Sequence, residues 1–286
     1  MIELDQYLFG LITLICIGLF ISWYASKCGY YQLPQSASSS VLISIPGELV
    51  FLAFLIFFIV ELVLVPGVYL SWKELVGDTV MADSNGKSWM NMIGTVLLSI
   101  VLWGFCRRLD PVYFNQVWGQ STTNRFFNWL MGAMTWLIAY PWVMVIGQFM
   151  TLVLSLFGYD SHHDQVAVEQ VKEALSDPLL LTVTVIVVVG IVPFIEELLF
   201  RGFLQTWLKF FLGRYQAIAV TSLIFASFHF STSQGIENIE FLLALFVLSC
   251  YLGFIRERQN SLWASIGLHS TFNLITITFL IAMSTH

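Results

Sequence analysis

Residues 179–203 read LLLTVTVIVVVGIVPFIEELLFRGF. The run from Leu179 to Val192 carries no charged side chain. With the residues up to Phe200 it approaches the roughly 20 mostly apolar positions that a helix needs to cross a bilayer. The same stretch then breaks its own rule, because Pro193 is followed by Glu196, Glu197 and Arg201. A charge at mid-bilayer costs roughly 2.5–3.5 kcal/mol on insertion scales, so two adjacent carboxylates require partners or a purpose. On a helix of 3.6 residues per turn, Glu197 and Arg201 stand about 40° apart on one face, and Glu196 is rotated about 100° from Glu197. One glutamate is therefore committed to the arginine and the other is left for chemistry. Pro193 lacks a backbone N–H and disturbs the helix one turn earlier, which opens room for water beside Glu196. The alternative is that the span ends at Pro193 and the charges form a solvated face at the interface.

Outward from this stretch, the spanning template fits residues 7–25, 45–66, 90–106, 128–157, 179–200, 215–232, 239–255 and 262–284. The sequence thus predicts an all-α, polytopic membrane bundle of about eight helices. Composition agrees: 58% of the 286 residues are hydrophobic and 10% charged, against roughly 45–50% and about 25% in a soluble domain. The formal charge of −6 offers no basic surface for a phosphate backbone, which excludes nucleic acid as a partner. Cys16, Cys28, Cys106 and Cys250 are scattered, so neither a disulfide framework nor a zinc–thiolate site is expected. The first apolar stretch follows Glu3 and Asp5 rather than a basic segment and reads as a retained span.

Residues Lys27 to Ser40 are too polar and small for a span and read as an extramembrane loop. The stretch from Tyr159 to Asp177 is rich in charge, and its helical part is expected outside the hydrocarbon. With the N-terminus outside, eight spans place Lys27, Arg107, Arg108, Arg125, Lys209, Arg214, Arg256 and Arg258 on the inner side, and Lys73, Lys87 and Lys172 on the outer. Positive loops tend to remain cytoplasmic. Both termini are therefore expected to be extracytoplasmic, with the end of the fifth span facing the cytoplasm. Residues 1–127 read as N-terminal spans and 128–286 as a bundle holding the chemistry. Glu48 and Glu61, in the second span, are read as paired within the bundle or placed near the headgroups.

Two further apolar segments carry isolated polar groups. His229 ends YQAIAVTSLIFASFHF, four residues after Phe225, and His269 and Asn273 share one side of LWASIGLHSTFNLITITFL at a spacing of i, i+4. Interhelical hydrogen bonding explains such residues equally well. Their convergence on three consecutive, otherwise nearly uncharged segments argues instead for one shared site.

EELLFR, FASFH and HSTFN occur in that order. They match the E-E-x-x-x-R, F-x-x-x-H and H-x-x-x-N motifs, and over about residues 178–280 the chain resembles the CPBP family of intramembrane glutamic endopeptidases. That family comprises the type II CAAX prenyl proteases and the bacteriocin-processing, Abi-like proteins. Residues 1–127 lie outside the resemblance. What it implies is peptide-bond hydrolysis without a metal or other cofactor. Glu196 would take a proton from water with His229 assisting, His269 and Asn273 would donate to the carbonyl oxygen, and Glu197 and Arg201 would hold the site together. The implied partners are the lipid bilayer and a peptide or protein substrate, C-terminally lipidated in prenyl-protease members. The compact loops fit a bacterial inner membrane, and an endoplasmic reticulum enzyme would look similar.

Three other readings stand beside this one. The first is a zinc hydrolase in which His229, His269 and Glu196 bind the metal and activate its water. The second is a non-catalytic immunity or scaffold protein. The third, a transporter, would more often show repeated halves, and none are visible.

Overall fold

The computed structural model describes residues 2–34, 44–76, 84–158, 174–175 and 177–284. The charged stretch expected between Tyr159 and Asp177 lies almost wholly outside these residues. Among them the backbone is helical without a strand. In chain order the helices are α1 (Ile2–Lys27), α2 (Gly47–Leu75), α3 (Ser84–Arg107), α4 (Pro111–Trp118), α5 (Arg125–Leu156), α6 (Pro178–Leu212), α7 (Arg214–Ser227), α8 (Asn238–Gln259) and α9 (Leu262–Ser284).

Local chemistry explains several boundaries. Asp110, Asn124 and Asp177 accept hydrogen bonds from the first backbone N–H groups of α4, α5 and α6, and a proline opens both α4 and α6. These groups have no partner inside the helix, so a side-chain acceptor is what lets it start there. Gly213, at φ +77°, ends α6 and turns the chain into α7.

Seven of these helices, α1, α2, α3, α5, α6, α8 and α9, are long and apolar enough to cross a membrane. No more than 33% of any span's apolar window is buried in the protein, and exposed Phe9, Phe20, Leu62 and Leu75 show what covers the rest. Apolar surface on that scale belongs in lipid, and the protein is an integral, multi-pass membrane protein. The stretch expected as the sixth span differs from the other seven. α7 has 14 residues, about 21 Å at 1.5 Å per residue, short of the roughly 30 Å hydrocarbon thickness.

The chain forms two compact units, each assembled from non-contiguous pieces. The first contains α1, α5, α7, α8 and α9 as far as Leu268. Here α1 and α5 run antiparallel, joined by Tyr7 Oη to the Gln148 carbonyl (3.0 Å), Trp142 Nε1 to Ser22 Oγ (2.8 Å) and Tyr30 Oη to Thr135 Oγ1 (3.3 Å). α5 meets the start of α9 with backbone against backbone. A Cβ on Gly132 would strike the Ala264 carbonyl, and one on Gly267 would strike that of Trp129. Small residues at such crossings let membrane helices approach closely.

All the lysines and arginines of this unit, Lys27, Arg125, Lys209, Arg214, Arg256 and Arg258, gather at one end. Lys209 Nζ lies 3.0 and 3.1 Å from the two carboxylate oxygens of buried Glu257, and Arg214 Nε lies 3.7 Å from the second. Arg258 donates to the carbonyls of Gly29, Tyr30 and Gln32. The start of α7 and the end of α8 therefore share a level.

The second unit contains α2, α3, α4, α6 as far as Trp207, and α9 from His269. Met92, Leu180 and Val187 form part of its core, flanked by Trp89, Ile191 and Val192. Trp118 of α4 packs against Trp103 of α3 and Phe194 of α6, with ring centroids 5.4 and 6.1 Å away. This aromatic cluster begins two residues before Glu196.

Candidate active site

The helix that carries the two glutamates does not stop at Pro193. It continues to Leu212, and the acids and Arg201 lie in its interior rather than on a solvated face. Glu197 and Arg201 have 0% exposure, whereas the Glu196 side chain keeps 21%. The expected ion pair is present. Arg201 Nη1 donates to Glu197 Oε1 at 2.9 Å, one turn away, and Glu196 points elsewhere.

α6 is wound unevenly around these residues. Two stretches, Val187–Ile191 and Leu198–Gln205, take the wider π-helical hydrogen-bond pattern, with ordinary α-helix at Val192–Glu197 between them. Wide turns are rare and cluster at functional sites. The first lies one turn before Glu196, where Pro193 is expected to disturb the backbone. At the end of the second, the Thr206 hydroxyl donates to the Arg201 carbonyl at 3.1 Å.

His269 of α9 reaches both acids. Its Nδ1 stands 2.9 Å from Glu197 Oε1, and its Nε2 stands 3.7 Å from Glu196 Oε2. A carboxylate only accepts, so the proton on this ring belongs first on Nδ1, directed at Glu197. Glu197 Oε1 thus receives a guanidinium on one side and an imidazole on the other. It fixes the orientation of His269 so that Nε2 faces Glu196. Asn273, one turn further along α9, does not reach the acids. Its Nδ2 donates to the Val188 carbonyl at 2.9 Å.

The structure thus brings Glu196, Glu197, Arg201 and His269 into one cluster within the second unit and sets Asn273 against the same helix. His229 belongs to the first unit. There its Nδ1 is 2.9 Å from the Phe225 carbonyl, and its ring packs 4.7 Å from Phe225 and 6.3 Å from Phe241. It lies two residues past the end of the short α7, where the backbone has left helical form.

Asn238, 2% exposed, takes up the polar groups of the segment after His229. Its Oδ1 accepts from Ser231 N at 2.9 Å, and its Nδ2 donates to the carbonyls of Ser231 and Gly235 at 2.6 and 2.9 Å. Irregular backbone at membrane depth requires such satisfaction. Neither Asn238 nor the Val188 carbonyl was singled out by the sequence. An asparagine three residues after a glycine at a span boundary was the available signal for the first, and a backbone carbonyl leaves no signal at all. Among the described residues no three His, Cys, Asp or Glu side chains are grouped to hold a metal ion.

Residues 178–275 match the family model described as type II CAAX prenyl endopeptidase, Rce1-like. The matched segment contains every residue of the cluster. Neither the curated proteins nor the solved structures compared with the chain gave a match.

Proposed function

From the type II CAAX prenyl endopeptidase domain at residues 178–275, which makes this chain a member of a membrane protease family, we propose a metal-independent intramembrane endopeptidase with Glu196 as its general base. The observation that carries the reading is the single imidazole spanning both acids, 2.9 Å from Glu197 and 3.7 Å from Glu196. A partly exposed carboxylate beside an oriented ring is the arrangement a water-activating base needs.

In the proposed reaction Glu196 removes a proton from water while the water oxygen bonds to the scissile carbonyl carbon. The carbonyl π electrons move to its oxygen, which accepts hydrogen bonds from His269 and from the second N–H of Asn273. Collapse then breaks the C–N bond, and Glu196 returns its proton to the departing nitrogen. Fixed donors of this kind are worth about 2.7–4 kcal/mol each in a site closed to bulk water. His229 is assigned the assisting role by its motif. Glu197 and Arg201 hold the acid–imidazole geometry. The substrate is a peptide or protein entering from the bilayer, with a lipidated C-terminal tail as the class to try first, and the membrane is a bacterial inner membrane.

The test is cleavage by the purified protein in liposomes, offered matched peptides with and without a C-terminal isoprenyl group. Glu196→Gln is expected to lower kcat by about 10²–10⁴-fold with thermal unfolding unchanged, and strong chelators are expected to leave the native enzyme active. Full activity in the glutamine variant would remove the general base, and abolition by chelation would move the site to zinc chemistry.

A further inference from the structure

The hydrogen bond from Asn273 to Val188 answers a specific deficit. In an α-helix the N–H of residue i bonds the carbonyl of i−4, whereas in a π turn it bonds that of i−5. At Val187–Ile191 the wider pattern holds, and Val192 N–H donates to the Val187 carbonyl. The next bond in that register would run from residue 193 to the carbonyl of Val188. Residue 193 is proline and has no N–H. The Val188 carbonyl is therefore left without its backbone donor inside a membrane helix, where an unsatisfied polar group costs several kcal/mol. Asn273 Nδ2 lies 2.9 Å from that oxygen.

We infer that the side-chain amide of Asn273 substitutes for the backbone N–H that Pro193 lacks, and that this bond holds the wide turn which sets the direction of Glu196. Proline and asparagine then act as one device on two helices. Pro193 keeps the carbonyl open, and Asn273 closes it from α9. An amide nitrogen carries two protons, and spending one on Val188 fixes the plane in which the other points. The bond also gives α9 a second grip on α6, beside that of His269 on Glu197.

Asn273 is thereby a positioning residue, whatever else its second N–H does. Only the readout through Glu196 rests on the protease reading; the pairing itself does not.

The experiment is a double-mutant cycle of Asn273→Ala and Pro193→Ala, followed by thermal unfolding in detergent and by cleavage kinetics. Asn273→Ala alone is expected to lower the unfolding midpoint by several degrees and to lower kcat. Alanine at 193 restores a backbone N–H, so the double variant should regain most of the lost midpoint and part of the lost kcat relative to Asn273→Ala. Additive losses in the midpoint would overturn the pairing, because the two residues would then act independently. Recovery of the midpoint with kcat still at the Asn273→Ala level would overturn the claim that the turn directs Glu196. If the protein proves not to be a protease, the unfolding arm still decides the pairing.

Discussion

Arg201 is the side chain whose loss the protein should tolerate least. It is fully buried and its guanidinium meets an equally buried Glu197 at 2.9 Å. Removing one member of such a pair leaves a desolvated charge behind and costs about 3–5 kcal/mol. Arg201→Met is therefore expected to lower the unfolding midpoint sharply, whereas Glu197→Gln/Arg201→Met, which removes both charges, should unfold closer to the native protein. Equal instability of the two variants would show that Arg201 serves partners other than Glu197. This pair was legible in the sequence, because an i, i+4 spacing of opposite charges inside an apolar helix has one economical solution. The coupling of His269 to Glu197 was foreseen only as convergence on a site. The partner of Asn273 was hidden, since its acceptor is a main-chain oxygen exposed by a proline on another helix.

At the scale of elements, Gly202 decides how α4 sits on α6. A Cβ there would lie 2.9 Å from Val117 Cγ1, one residue beyond Arg201. Gly202→Ala is expected to destabilise by about 1–3 kcal/mol, the usual cost of forced overpacking, and Val117→Ala in the same chain should recover most of it. Denaturant unfolding of the two variants checks this. The contacts of Gly132 and Gly267 are with backbone carbonyls, so no trimmed neighbour can relieve them. Gly267→Ala is accordingly expected to fall further, read as the lower midpoint of the two. Element type was legible throughout, because apolar runs of spanning length leave little choice but helix. The course of α6 past Pro193 was open in the sequence. Propensity places a helix end there, and the side chains of α4 and α9 that pack on the continuing helix come from distant parts of the chain. α7 is shorter than the expected span for the opposite reason: Phe228 and Phe230 prolong the apolar composition past the point where the backbone leaves the helix.

Across the molecule, charge is sorted. Lys27, Arg125, Lys209, Arg214, Arg256 and Arg258 mark one end of their unit. Single cysteines at Gln32, Gln216 and Gln259, in a background lacking the four native ones, are expected to react together with an impermeant thiol reagent added from the cytoplasmic side. Labelling of position 216 from the opposite side to 259 would contradict the shared level of the start of α7 and the end of α8. What composition and spacing did not reveal is how the chain divides. A contiguous split near residue 127 is the natural reading of a motif-bearing C-terminal part, whereas each compact unit draws on non-contiguous pieces of chain, because helices distant in sequence pair by packing.

Where α5 and α9 cross at Gly132 and Gly267, no side chain intervenes to act as a hinge or bearing. Such a joint has no slack, because any side chain added at either glycine would have to part the two backbones.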